Sequence, residues 1–313
     1  MKKIIRILVF IGALLIIAFF ALQKKAIPLD ELKRKYANAH SQFLEMDGMK
    51  VHYRIEGEGK PVVLIPGTGS VLQTWDGWTD SLVKNHYKVI RLDMPAFGLT
   101  GPRKDNDYSV KMYVDFLDRF LHQLGVDTFA LGGNSLGGQI AFCYAAAHPA
   151  KVTELILVDP GGFYSKEKGN GAIIFKLAKI KWLAAGMSKI DTKMIVEKTL
   201  KDVYEDDSKI KKEWLQMYYD MSMREGNREA FSARVQQIGA DVPPDVTLIQ
   251  IPTLIQWGRQ DQLLDVSLSE HFTKIPKSKL IVYDGVGHSP QEEIPAQSVT
   301  DVINFIQNNQ SKN

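Results

Sequence analysis

Residues Leu131–Ile140 read "LGGNSLGGQI" and constrain the fold more than any other stretch of the chain. A serine stands between two glycine pairs, directly after the apolar run "TFALGG" and directly before "QIAFCYAAAH". The first run has the composition of a buried strand, and the second the Ala-rich pattern of a helix stopped by Pro149. In a tight turn between them, Cβ atoms beside the serine collide with strand and helix, and glycine at 133 and 137 removes them. A flexible, solvated turn is the competing reading. Gly133-Asn134-Ser135-Leu136-Gly137 decides nothing as a bare pentapeptide; its place between a strand and a helix is what gives it meaning.

The rest of the chain repeats this grammar. "PVVLI", "YKVIRLD", "VTELILVD", "IPTLIQWG" and "SKLIVYDG" are short apolar runs ended by Gly, Pro or Asp. A hairpin pair is read in "MKVHYRIEG", ahead of the first of them. Between the runs lie helical patterns. "SVKMYVDFLDRFLHQLG" sets Val110, Val114, Leu117 and Leu121 on one face, and "SLSEHFTKIP" and "PAQSVTDVINFIQNN" follow near the C-terminus. Alternating strands and helices predict an α/β fold, a mostly parallel central sheet with helices on both faces. Ligands of such sheets bind beyond the carboxyl ends of the strands.

The alternation stops between Gly162 and Val246, where only helices are read. Residues 163–246 are therefore expected to form a helical cap interrupting a core of 46–162 and 247–313. "AIIFKLAKIKWLAAGM" is amphipathic and basic, a pattern that also suits a membrane surface. "KKEWLQMYYDMSMREG" is rich in Met and aromatic residues, expected to be plain core more than substrate wall.

The N-terminus adds a separate signal. Ile7–Leu22 is uncharged, with Lys2, Lys3 and Arg6 before it and Lys24 and Lys25 after. As a helix it spans about 24 Å, somewhat short of the ~30 Å hydrocarbon core, a gap that snorkelling of Arg6 and Lys24 can close. A cleaved signal peptide needs small residues before the cut, whereas Phe19 and Phe20 crowd Ala21. Residues 1–25 are expected to be an uncleaved signal-anchor and 26–45 a linker or short helix, with the following domain on the extracytoplasmic side. A net charge of +3 without a dense basic run elsewhere argues against a nucleic-acid partner. The single cysteine, Cys143, excludes an intrachain disulfide and reads as a small buried apolar residue. Oligomeric state is not legible.

A serine hydroxyl is a poor nucleophile until a base takes its proton. Of seven histidines, only His288, in "DGVGHSPQEE", follows a strand and glycines on a strand-end loop. His52 alternates within a strand, His122 and His271 lie in helices, and His86 precedes a strand; His148 ends a helix and His40 lies in the linker. The acid that holds the imidazole is expected at Asp261 in "QWGRQDQLLD", with Asp265 and Asp159 as rivals. Oxyanion donors are expected at the backbone N–H of Leu136 and at Thr68 in "LIPGTGSVLQTW", Gly69 being next. The histidines show no metal-ligand spacing and no phosphate-cradling glycine fingerprint opens a helix, so neither metal nor organic cofactor is expected.

In order along the chain, "PVVLIPGTGS", "VIRLDMPAFGLTGP", "LGGNSLGGQIA", "LILVDPGG", "GRQDQLLD" and "GVGHSPQEE" resemble the α/β-hydrolase fold superfamily with a helical cap, from about Met46 to the end. The serine makes the chain similar to the esterase, lipase and carbon–carbon-bond hydrolase branches; dehalogenase and epoxide-hydrolase branches carry aspartate there. Pro66 departs from the pattern, since many relatives place a histidine before the oxyanion glycine. The resemblance implies a small-molecule, apolar acyl substrate cleaved at a carboxylic ester through an acyl-enzyme. Two other readings remain: carbon–carbon cleavage of a vinylogous diketone, and a catalytically idle, membrane-tethered binding module.

Overall fold

The computed structural model describes residues 22–163 and 188–310, together with Phe10 and Gly186. Most of the predicted anchor and of the cap helix read at 172–187 lies outside the described residues. Among the described residues no helix is long and apolar enough to cross a membrane.

Eight strands form one sheet: β1 (Ser41–Met46), β2 (Met49–Glu56), β3 (Lys60–Ile65), β4 (Tyr87–Leu92), β5 (Phe129–Asn134), β6 (Val152–Val158), β7 (Thr253–Gly258) and β8 (Ser278–Tyr283). Their spatial order is β1-β2-β4-β3-β5-β6-β7-β8. Pairs β1–β2 and β2–β4 are antiparallel, and every pair from β4–β3 to β7–β8 is parallel. This is the expected α/β architecture. The strand alternation sorts β3 between two cores: Val62 and Leu64 pack with Trp75, Trp78 and Val302 on one face, Val63 and Ile65 with Leu117, Leu131 and Ile140 on the other.

Helices cover both faces. α1 (Leu29–Tyr36) precedes the sheet; α2 (Asp76–Lys84), α3 (Val110–Gln123) and α4 (Leu136–Ala147) follow in the first half of the core. The cap supplies α5 (Lys193–Val203), α6 (Lys212–Ser222) and α7 (Asn227–Gln237), and the chain returns through the short α8 (Ser269–Phe272), α9 (Pro290–Glu293) and the long α10 (Pro295–Gln310). α3 starts where Ser109 Oγ accepts from Met112 N–H at 3.2 Å, and its predicted apolar face is buried.

The structure differs from the sequence reading at the N-terminal side of the core. The hairpin joins β1 to β2 through Asp47 and Gly48, both at positive φ, so the sheet begins at Ser41, inside the segment read as linker. "SQFLEM" is an edge strand with partly exposed residues, and it lacks the apolar run that marks buried strands. α1 is likewise tied to the cap. Leu32, 1% exposed, packs with Leu200, Met217 and Met221, while Lys35 and Tyr36 hydrogen-bond Asp220 of α6 at 2.5 and 2.6 Å. Met217 and Met221 are thus core residues of the cap, as their composition suggested.

Candidate active site

Ser135 sits at the expected turn, between β5 and α4, at φ 55° and ψ −114°. Such a conformation costs on the order of 1–3 kcal/mol and persists only where neighbours enforce it. They do so by contact. A Cβ on Gly133 would lie 2.2 Å from the Gly137 backbone, and one on Gly137 would lie 2.1 Å from Ile65 O. The turn is also held from outside: Ser135 N–H donates to Val158 O at 3.0 Å, and Ser135 O accepts from Gly161 N–H at 2.8 Å. The serine itself is half-buried, so solvent reaches it. The glycines make room for a fixed hydroxyl; they do not make it loose.

Leu136 opens α4, where the first N–H groups lack helical acceptors and the helix dipole favours negative charge. The loop after β3 meets the turn at Gly67, whose missing Cβ would fall 3.1 Å from Ser135 Cβ. Thr68 follows, half-buried, and Gly69 is exposed.

His288 lies on the loop between β8 and α9. Its Nδ1 is 2.6 Å from Asp261 Oδ2, and both side chains are almost fully buried. Asp261 Oδ1 is committed to the N–H groups of Leu263 and Leu264 at 2.8 and 2.9 Å. The carboxylate therefore presents one defined oxygen to the imidazole, which fixes the proton on Nδ1 and leaves Nε2 as the acceptor. Asn134, beside the serine, donates through Nδ2 to His288 O at 3.0 Å and ties the histidine loop to the turn. The rival Asp265 is occupied elsewhere, accepting from Ser267 N–H and Oγ at 3.1 and 2.6 Å.

Asp159, the other rival, is fully buried at φ 42° after β6, and its Oδ1 accepts from Gly258 N–H at 2.9 Å. Atoms of Asp159, Asp261 and His288 lie within 4.8 Å of one another, a spacing a cation would accept. The donor set argues otherwise, because His288 Nδ1 and the facing oxygen of Asp261 are already spent on each other.

Three features escaped the sequence reading. Asp93, after β4, accepts from Leu72 N–H through Oδ1, and from Leu99 N–H through Oδ2, both at 2.8 Å. It braces the start of the helical turn that follows the Thr68 loop, which answers how that loop is held when Pro66 offers no side-chain bond. Its sequence signal is Gly98, where a Cβ would fall 2.2 Å from the Asp93 carboxyl carbon. Asp93 also pairs with His52 Nδ1 at 2.8 Å, and His52 Nε2 lies 2.9 Å from Ser41 Oγ. This Ser–His–Asp chain is structural: Ser41 Oγ already accepts from Asn38 N–H and Arg54 Nε, and the residue opens an edge strand rather than a helix.

Third, Glu292 of α9 is half-buried, and its carboxylate is approached by Thr74 Oγ1 at 2.5 Å, Tyr218 OH at 2.6 Å and Tyr204 OH at 2.6 Å. Burial pushes its carboxyl above the usual range. Tyr204 and Tyr218 belong to the cap, and His288 N–H itself donates to Val203 O of α5 at 2.7 Å. Cap position and histidine position are therefore mechanically linked.

Among curated proteins, the chain is 28% identical over 256 residues to 2-hydroxy-6-oxo-2,4-heptadienoate hydrolase of Pseudomonas putida, covering 79% of this chain and 88% of that one. It is 28% identical over 261 residues to monoacylglycerol lipase ABHD6 of Homo sapiens, covering 80% and 76%. Among solved structures, a membrane phospholipase A described as a bacterial virulence factor superposes with a TM-score of 0.72 at 25% identity, covering 99% of both chains. These relatives are hydrolases acting on different bonds. Residues 60–295 match the model of the alpha/beta hydrolase fold, and the chain belongs to that family.

Proposed function

We propose that the protein is a membrane-tethered serine hydrolase that cleaves carboxylic esters of apolar acyl chains. The observations that carry this reading are a strained, solvent-reachable Ser135, a His288–Asp261 couple at 2.6 Å, and Asn134, next to the serine, bonded to His288 O at 3.0 Å. Ser135 Oγ attacks the ester carbonyl as His288 Nε2 takes its proton, worth typically 10²–10⁴-fold. Asp261 holds the imidazole and stabilises the imidazolium. The tetrahedral oxyanion is received by the N–H groups of Leu136 and Thr68, each such donor being worth about 3 kcal/mol. Collapse expels the alcohol with the proton from His288. Water, deprotonated by His288, then releases the acid and regenerates the serine.

The membrane tether is supported by how the chain enters the domain. The segment directly after the apolar stretch is stitched to the cap. Asp191 N–H donates to Leu22 O at 2.8 Å, Lys24 N–H to Lys189 O at 3.1 Å, and Ile27 N–H to Met223 O at 2.8 Å. Lys24 also pairs with Asp191 at 2.9 Å, and Met194 nearby in sequence is 79% exposed. A chain leaving a bilayer at this seam brings the cap side, which lies over the serine, toward the lipid. The phospholipase covers this chain from end to end, whereas the dienoate hydrolase leaves about a fifth of it unmatched.

Carbon–carbon cleavage is the second reading, favoured by the likeness to the dienoate hydrolase. The test is kcat/KM of the full chain in mixed micelles on a monoacylglycerol, a short p-nitrophenyl ester and a vinylogous diketone. Ester substrates are expected to win by orders of magnitude, and a diketone preference of that size overturns the ester assignment.

A further inference from the structure

We propose that Asp159 carries a proton and donates it to Asp261, making it a positioning residue that sets the strength of the Asp261–His288 couple. The proposal rests on the reading of that couple as catalytic, but its physical basis is independent of any substrate.

Asp159 is fully buried, and its Oδ2 has no hydrogen-bond partner, while Oδ1 is satisfied by Gly258 N–H at 2.9 Å. The groups facing it are Asp261 after β7, His288 after β8, Glu293 of α9 and Tyr283 at the end of β8. Glu293 is itself bound by Gly287 N–H at 2.7 Å and Glu205 N–H at 3.1 Å, and Tyr283 OH donates to Asp301 at 2.8 Å. No Arg or Lys is among these groups. Two carboxylates therefore meet in a buried place beside one imidazole, and like charges so placed do not both ionise. Asp261 has two backbone donors and the imidazole to stabilise its charge; Asp159 has one donor and an empty oxygen. The proton belongs on Asp159 Oδ2, where it fills the missing bond. Burial and then repulsion by Asp261 both raise the Asp159 carboxyl well above its ordinary range, in the same direction.

The geometry makes the linkage calculable in sign. A carboxyl raised on folding contributes fully below its unfolded value, about pH 4, and loses that contribution as pH rises. Asp159→Asn keeps the acceptor for Gly258 and a donor for Asp261 without needing a proton. The variant is expected to match the wild type near pH 4 and to melt a few degrees higher at pH 8. The acidic limb of its kcat/KM profile should stay in place. Asp159→Ala removes the donor, strengthens the negative partner of the imidazole, and should move that limb upward by about one pH unit. Infrared spectra of wild-type protein with isotopically labelled aspartate should show an aspartic acid C=O band at pH 7, which needs no variant to fold.

Absence of that band overturns the proposal, as does an Asp159→Asn protein that is less stable at pH 8. A limb shifted downward in both variants means an ionised Asp159, and an unmoved limb in Asp159→Ala means no action on Asp261. If instead Ser135→Ala retains turnover, the catalytic reading fails while the band and the pH-dependent stability still report on Asp159.

Discussion

Gly137→Ala probes whether the serine turn is held by packing. An ideal Cβ at 137 lies 2.1 Å from Ile65 O, 2.7 Å from Ile65 C and 2.7 Å from Pro66 O. Against a normal carbon–oxygen contact of roughly 3.2 Å, the overlap is about 1 Å. All three atoms are backbone at the end of β3, in the middle of the sheet, so no rotamer change relieves it. Either α4 or the loop bearing Thr68 must move by that amount. Overpacking of this kind costs about 3 kcal/mol, a loss of roughly 6 °C in melting temperature. A misplacement of about 1 Å between reacting groups lowers kcat/KM on the order of 10²-fold in the protein that remains folded. Gly125→Ala is the control. Its φ is +65° with nothing within 4 Å of the added Cβ, so it should cost about 1 kcal/mol and leave turnover unchanged. Thermal melts, with ester turnover measured well below the transition, compare the two. Equal, small losses with full activity in Gly137→Ala would show that the turn is not packed against β3.

Three further substitutions separate the roles assigned above. Asp261→Asn keeps the acceptor for Leu263 and Leu264 but presents the wrong partner to His288, so kcat should fall by about 10³–10⁴-fold with a small change in melting temperature. Asp93→Ala strips the acceptor from Leu72 N–H, Leu99 N–H and His52, and denaturant unfolding should show a loss of about 4 kcal/mol. Cys143, expected to be buried, is half-buried, and desolvation pushes its thiol up to about 12, so iodoacetamide at pH 8 should modify it far more slowly in the native protein than after unfolding, as mass spectrometry can follow; rapid native alkylation would contradict that shift.

What was legible in the sequence follows from physics that acts locally. Ser135 could be read because its turn needs glycine within two residues on each side, and His288 and Asp261 because strand-end loops are where such a sheet places function. The strands from β3 to β8 and their parallel pairing needed only apolar runs and helical patterns; their order in the sheet was not read. The misses are of another kind. β1 is half-exposed and does not differ from linker composition, and α1, read only as linker or short helix, hides its one buried leucine in a charged octet. α2, with Trp78 buried and Trp75 just before it, was not read because its apolar face is short. Asp93 and Glu292 matter through partners far away in sequence, with Gly98 the one local hint for Asp93, and Asp159, read only as a rival acid, reveals its burial only in the fold.

Reaction of the intact, folded protein with a fluorophosphonate, followed by peptide mapping, tests the central claim most directly. The expected result is a single adduct on Ser135, lost in His288→Ala, with Ser41 unmodified although it too faces a histidine–aspartate pair. An unlabelled Ser135 in folded protein, or an adduct on Ser41 in its place, would contradict the claim.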